Sequence, residues 1–401
     1  MQKYMKSVVA GLIAYACAAS VTAQSAPGVT PTEIKIGNIV PYTGPAAVFA
    51  TVGRTLDAFF KKVNDEGGVH GRKLTLISSD DGYSPPRTLE QARKLVEKDE
   101  VFFITGVTGT AHNAVIQRYL NERGVPHLFP QSGASRWNNP KEYKWTVPSL
   151  GRADQEVEAA AYARYLQRQA PNGKIGVLFQ NDDYGKDFLK GFKQGLGGNS
   201  KMLVAEKGYE PSEPTVDVQI DALRASGADT LAIFALPKFC AQAIRRATDT
   251  GWNPKIVVGV VCSSVDNVMK PAGIEKSKGV MSGLLTKDPS DPRLAADPEV
   301  REFKAFMAKY YPSGSLDVLA ISTYMAGHSF VEALKRAGKE PTREKVLEAV
   351  VSLRDWREPM LIEGLLSNLT ASDYTALRSI PIGSFNGTGW DVIAPATATK
   401  Q

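Results

Sequence analysis

Two short loops concentrate the small and hydroxyl-bearing residues that can grip a polar ligand. Gly106-Val-Thr108-Gly109-Thr110 and Ser132-Gly133-Ala134-Ser135 each follow a short apolar run. Backbone N–H groups and hydroxyls gathered at a helix N-terminus suit an anion. Taken alone, the first loop reads as a tight connection. Two such loops at strand carboxyl ends point to a site, because ligands of open α/β sheets sit outside those ends. Tyr184, at the same edge of a second sheet, would face them across a cleft. Asp182-Asp183 beside it reads as a helix cap.

The residues that covalent or metal chemistry needs are missing. There is no GxSxG, no P-loop, no CxxC, and no GxGxxG opening a helix after a strand. The four histidines, His70, His112, His127 and His328, show no HExxH or paired metal spacing. The expectation is a binding protein, not an enzyme, with no metal and no cofactor.

The elements that must carry these loops alternate. Strands are expected at 34–40, 73–79, 101–106, 127–129 and 143–147, with helices at 48–65, 85–98 and 110–122. Ser84 before Pro85-Pro86 is read as an N-cap. The pattern restarts with helices at 154–168, 184–196, 216–225 and 238–250. Strands at 174–180, 202–207, 230–235 and 256–261 lie between them. A strand at 280–285 and an Asp/Pro-rich loop at 287–298 follow, then helices at 299–310, 317–337 and 342–350. The tail, 359–393, carries short strands and Gly turns. Repeated β-α units imply parallel sheets, here two wound sheets in two lobes.

Composition agrees with a folded chain of that size. Of 401 residues, 43% are apolar and 22% charged, and the net charge is only +6. No block of five or more Lys/Arg occurs, so a nucleic-acid partner is not expected. Lys3 and Lys6, the uncharged run Val8–Ala19 and the small-residue end Val21-Thr22-Ala23 form an export signal cleaved near Ala23. The expected product is a free periplasmic protein. Cys240 and Cys262 both follow expected strands. They read either as a disulfide, which export permits, or as two buried free thiols.

Several segments together resemble a known family. They are Ile36-Gly-Asn-Ile-Val-Pro-Tyr-Thr-Gly-Pro45, Asn64-Asp-Glu-Gly-Gly-Val-His-Gly-Arg72, Asp80-Asp81, Gly133-Ala-Ser135 and Gln180-Asn-Asp-Asp-Tyr-Gly-Lys186. In order and spacing they are similar to the type I periplasmic solute-binding proteins of ABC importers, in the leucine/isoleucine/valine-binding branch. The resemblance implies two Rossmann-like lobes, three crossovers and a ligand cleft closed by a hinge. It implies an N-terminal lobe of 24–150 plus 286–355 and a C-terminal lobe of 151–285 plus 356–401. A monomer working with membrane permease and ATPase subunits is also implied.

Carried onto this sequence, the resemblance places Thr110, with Thr108 and Gly109, on a ligand carboxylate. Gly133, Ala134 and Ser135 join them. Tyr184 closes over the ligand, Phe49 lines the side-chain pocket, and Val261 lies at the second-lobe strand end. One departure bears on the ligand. Amino-acid binders of this type carry a glutamate after the strand written here as 256–261, whereas this chain reads Gly259-Val-Val-Cys-Ser263. A buried ammonium without a carboxylate is costly. The expected ligand is therefore a small carboxylate without an amine, an aromatic or other organic acid. The alternatives are a branched-chain amino acid or amide, or an exported sensor feeding a receptor. Arg152 is read as a solvated helix-start residue, with positive charge near the cleft as the alternative; Trp137 is read as packing, with the cleft rim as the alternative, and Tyr83 as a residue that approaches the pocket.

Overall fold

The computed structural model describes residues 26–396, so the expected export signal lies outside the described residues. The first sheet begins with β1 (Glu33–Val40), followed by a 3-10 turn at Ala47–Phe49 and α1 (Ala50–Asp65). One face of α1 is buried through Val52, Leu56, Phe59, Phe60 and Val63, which is the helical spacing of an amphipathic stripe. Next come β2 (Lys73–Asp80), α2 (Pro85–Glu97), β3 (Phe103–Thr105), α3 (Thr110–Glu122), β4 (His127–Leu128) and β5 (Thr146–Val147). The strands pair in parallel in the order β2-β1-β3-β4-β5. Every residue of β3 is buried, as expected of a central strand covered by helices on both faces.

The chain then passes to a second unit. Its elements are α4 (Gln155–Gln169), β6 (Ile175–Gln180), α5 (Asp183–Leu196), β7 (Leu203–Tyr209), α6 (Asp217–Ala225), β8 (Thr230–Phe234), α7 (Pro237–Asp249) and β9 (Lys255–Val258). A π turn at Val265–Met269 and the short helices α8 (Lys270–Ala272) and α9 (Ile274–Ser277) lead to β10 (Met281–Gly283). That helical link was not foreseen, since its segments are too short for a readable period. The chain returns through α10 (Pro298–Tyr310), α11 (Val318–Ala337) and α12 (Arg343–Val351), with α10 and α11 packed on α1. It crosses a third time and ends in β11 (Ile382–Phe385) and β12 (Trp390–Ala394), which complete the order β12-β11-β10-β9-β8-β6-β7.

Three crossings thus link two α/β lobes, and they are laced together. Ile362 donates its N–H to the Leu285 carbonyl at 3.0 Å, and Lys287 to that of Met360 at 2.8 Å. Ala153 bridges Leu377. Glu358, on the third crossing and 1% exposed, accepts from the Ser329 hydroxyl and from the Gly151 N–H on the first. Burial pushes its carboxyl up to about 7. Ser84 stands at the N-cap of α2 with proline in the first turn, as expected, but its hydroxyl makes no cap bond; the Thr88 hydroxyl donates to Asp81 at 2.7 Å and to the Ser84 carbonyl at 3.1 Å.

Candidate functional site

The carboxyl ends of the parallel strands of both sheets converge. In the first sheet, β3 and β4 extend beyond their named ends through a parallel bridge between Thr108 and Gln131. Gln131 donates its N–H to Val107 at 2.8 Å, and Gly109 donates to Gln131 at 3.3 Å. This stub fixes both loops side by side. Gly109 has φ +99°, and a Cβ there would run into the His112 ring, so a larger residue would strain the start of α3. The Thr110 and Ser132 hydroxyls then meet at 2.8 Å, and the indole of the buried Trp137 donates to Ser132 at 3.1 Å.

Between the two edges lies a cavity of about 40 Å³. Phe49, Thr108, Gly109, Thr110, Tyr184 and Val261, all sequence-expected, line it together. Gly133, Ala134 and Ser135 do not line it; Gln131 and Ser132 stand there instead. The reason is local. A Cβ on Gly133 would lie 2.7 Å from the Ala153 carbonyl, and Gly133 itself accepts from the Gln155 N–H at 2.6 Å. The loop is therefore pressed onto the first crossing. Ser135 opens a 3-10 turn, and its hydroxyl is spent on the Glu156 carboxylate.

Arg152 is the largest correction. It lines the cavity and is half-buried, and its guanidinium donates to Gln131 Oε1 at 3.2 Å. No ion pair involves it among the described residues. Burial lowers its pKa, with Glu158 and Tyr184 opposing, but a guanidinium keeps its charge at neutral pH. Glu158 is the nearest buried acid to weigh against it. Its Oε1 accepts from the Tyr162 hydroxyl at 2.8 Å and the Val260 N–H at 2.7 Å, and it does not line the cavity. No lining residue is acidic. Burial also raises the Tyr83 and Tyr184 phenols and lowers His112, so Arg152 is the one charge in the wall.

Three buried polar atoms on lining residues lack a partner: Thr108 Oγ1, Gln155 Oε1 and the Tyr184 hydroxyl. Burying such atoms unpaired costs about 1–3 kcal/mol each, so they suit a polar guest. Asp182 caps α5, accepting from Tyr184 N at 3.0 Å and Gly185 N at 3.3 Å, and so aims the Tyr184 ring. Cys240 and Cys262 form a disulfide behind Leu236 and Val261, which resolves the open alternative. Tyr83 lines the cavity, and its hydroxyl accepts from Gln180 Nε2 of the other lobe at 3.4 Å. Gln155, Leu236 and Leu319 complete the wall. Leu319 gave no sequence signal, because an apolar residue on an apolar helix is indistinguishable from core.

Two α/β lobes joined by three crossings around a polar cavity define a type I solute-binding architecture. The family model described as periplasmic binding protein matches residues 33–377, and the chain belongs to that family, in its Leu/Ile/Val-binding-protein-like branch. Members are periplasmic solute-binding proteins, not enzymes. A Leu/Ile/Val-binding protein homolog 1 from Brucella abortus is 24% identical over 314 residues, covering 78% of this chain and 81% of its own. The structure of a branched chain amino acid ABC transporter protein from Thermus thermophilus with bound valine superposes with TM-score 0.82 at 15% identity, covering 92% and 98% of the two chains. A fatty acid ABC transporter substrate-binding protein from Thermomonospora curvata gives 0.78 at 22%, covering 94% and 95%.

Proposed function

We propose that this chain captures a small carboxylate without an amine and delivers it to the membrane subunits of an ABC importer. The observation that carries the reading is Arg152, a half-buried cation in a cavity wall that holds no acid. A guanidinium, the paired Thr110 and Ser132 hydroxyls and the free Tyr184 hydroxyl can satisfy both oxygens of a carboxylate. An ammonium in the same space would meet a like charge and no counter-ion. Phe49, Leu236, Val261 and Leu319 supply apolar cover for the rest of the solute.

The proposed mechanism is hinge closure. The lobes are 24–150 with 286–355 and 151–285 with 356–401, and the laced crossings act as the hinge. The proposed site is Phe49, Thr108, Gly109, Thr110, Gln131, Ser132, Arg152, Gln155, Tyr184 and Val261, with Gly133, Ala134 and Ser135 bracing it from behind. Export with cleavage near Ala23 and action as a monomer belong to the same reading. Relatives named for valine and for fatty acid share this fold, so the fold alone leaves the ligand open.

The test is a thermal-shift and calorimetric screen of residues 24–401 against benzoate, phenylacetate, cinnamate and short oxo-acids, with leucine and valine in parallel. Ligand at about 100 Kd should add about 2.7 kcal/mol of stability. Stabilisation by the acids alone supports the reading. Stabilisation by leucine or valine alone overturns it and assigns the ammonium a partner, with Glu158 the first residue to mutate.

A further inference from the structure

The two lobes also touch away from the cavity. α11 packs on α1 of the first sheet, and the turn Val265–Met269 packs on α7 of the second. They meet at Asp317, the residue before α11, which is only 6% exposed. Its Oδ1 accepts from Leu319 N at 3.0 Å and from Ala320 N at 3.2 Å, so it caps α11 and steadies Leu319 in the cavity wall. Its Oδ2 turns to the other lobe. That oxygen accepts from the Asn267 side-chain amide, and the Ser264 hydroxyl stands 3.5 Å from it. One carboxylate thus holds both lobes, one oxygen to each.

The second-lobe side is built to meet it. Ser264 accepts from Asn267 N at 3.1 Å, which fixes the turn that carries the amide. Beside it the Ser315 hydroxyl donates to Asp266 Oδ2 at 3.3 Å, a further tie across the same seam, and Asp266 is paired with Lys270. No ion pair involves Asp317 among the described residues. A buried carboxylate without a cation depends on each of its neutral donors. Other ties between the lobes are looser or lie against a crossing. Tyr83 meets Gln180 at 3.4 Å, and Arg136 meets Asp183 at 3.5 Å with both side chains about half exposed, where an ion pair contributes little. The Ser135 N–H reaches Asp187 beside the first crossing, where the chain itself already joins the lobes.

We infer that Asp317 and Asn267 form a latch that holds the two lobes closed without a solute. They are positioning residues. Neither lines the cavity, and both act on a solute only through closure. The inference rests on the hinge-closure reading above and adds the residues that keep the hinge shut.

Spin labels on Glu90→Cys in α2 and Val218→Cys in α6, both exposed positions, report the interlobe distance by pulsed electron resonance without solute. Cys240 and Cys262 are bonded to each other and take no label. The labelled parent should give one short distance. Asn267→Asp sets a second carboxylate against Asp317. It should bring in a longer distance and lower the closed-to-open ratio at least tenfold. Asn267→Leu, which only removes the donor, should lower that ratio about threefold to tenfold. Asn267→Asp combined with Asp317→Asn exchanges amide and carboxylate, keeps a capping residue before α11 and should restore the short distance. Melting curves check that each variant folds. Val261→Trp, a wedge in the cavity wall, is the control for the hinge. A labelled parent already at the long distance overturns the latch. So does Asn267→Asp that stays short while Val261→Trp opens, or an exchanged pair that stays open. If neither Asn267→Asp nor Val261→Trp lengthens the distance, the lobes do not hinge, and the closure mechanism falls together with the latch.

Discussion

The two walls of the cavity are held by different forces. The first-lobe wall is a lattice of hydrogen bonds, the Thr108–Gln131 bridge, the Thr110–Ser132 pair and the Trp137 donor, and its Gln131 holds Arg152 of the first crossing. The second-lobe wall is Tyr184, Leu236 and Val261, backed by packing. Phe188 stacks on Phe234 at 4.7 Å, the Tyr209 hydroxyl accepts from Leu236 N at 2.9 Å, and the Cys240–Cys262 disulfide ties α7 to the turn after β9. A polar wall with fixed donors costs little to reorganise when an anion arrives. An apolar wall excludes water and so strengthens every charge contact inside. Binding specificity then belongs to the first wall, and closure to the second.

Removing the cation strikes this division hardest. Arg152→Met should weaken acid binding by about 3 kcal/mol, roughly 150-fold by calorimetry, because the ligand charge is left buried and unpaired. Unchanged affinity would transfer the anion contact away from the first wall. Next in size is the brace behind the second wall. Cys240→Ser with Cys262→Ser opens a loop of sequence separation 22 and should cost about 3 kcal/mol in urea unfolding. A loss of that size with near-normal acid affinity confirms that this wall contributes rigidity rather than recognition.

Glu358, on a crossing between the two walls, reports through pH. Its folded pKa, about 7, lies above its ordinary value because the carboxyl is buried. Its contribution is therefore full below about pH 4.5 and is lost as pH rises through 7. Asp154, raised to about 7, and Asp187, raised to about 6, titrate in the same window. Glu358→Gln should remove roughly 2–3 kcal/mol of that pH dependence, seen as the difference between wild-type and variant unfolding curves from pH 4.5 to 8. Parallel curves would show that Glu358 is ionised in the fold.

Single hydroxyls sharpen the comparison further. Thr110→Val should cost about 1–1.5 kcal/mol of binding, close to tenfold, since it also strands Ser132. Tyr184→Phe should cost less, about threefold, because it removes one hydroxyl contact to the ligand and strands no other protein group. Reversal of that order would make the second wall the recognising one.

Much of this was legible from spacing alone. The alternation of apolar runs with amphipathic stretches located the principal strands and helices of both lobes to within a few residues. Tyr184 and the Gly106–Thr110 loop were readable because each stands at the end of a strand-like run, where parallel sheets expose their loops, whereas Phe49 and the ligand role of Thr110 came from the family resemblance alone. Gly133-Ala134-Ser135 was misplaced by a few positions. A strand that continues as an isolated bridge has no sequence mark, and only the Gly133 approach to Ala153 shows where the loop turns away.

The sequence by itself determined the β-α order, the two-lobe class and the hydroxyl-rich loops, because these depend on residue type at short range; the acid missing after β9 was marked only by the family resemblance. Tertiary structure decided that Cys240 and Cys262 meet, that Leu319 from a distant helix closes the wall, and that Arg152 faces inward. These pairings join segments far apart in the chain, where nothing local encodes the distance. Arg152 is the clearest case. An arginine before a helix is ordinarily solvated, and only the packing of the first crossing against Gln131 and the cavity wall takes part of its water away.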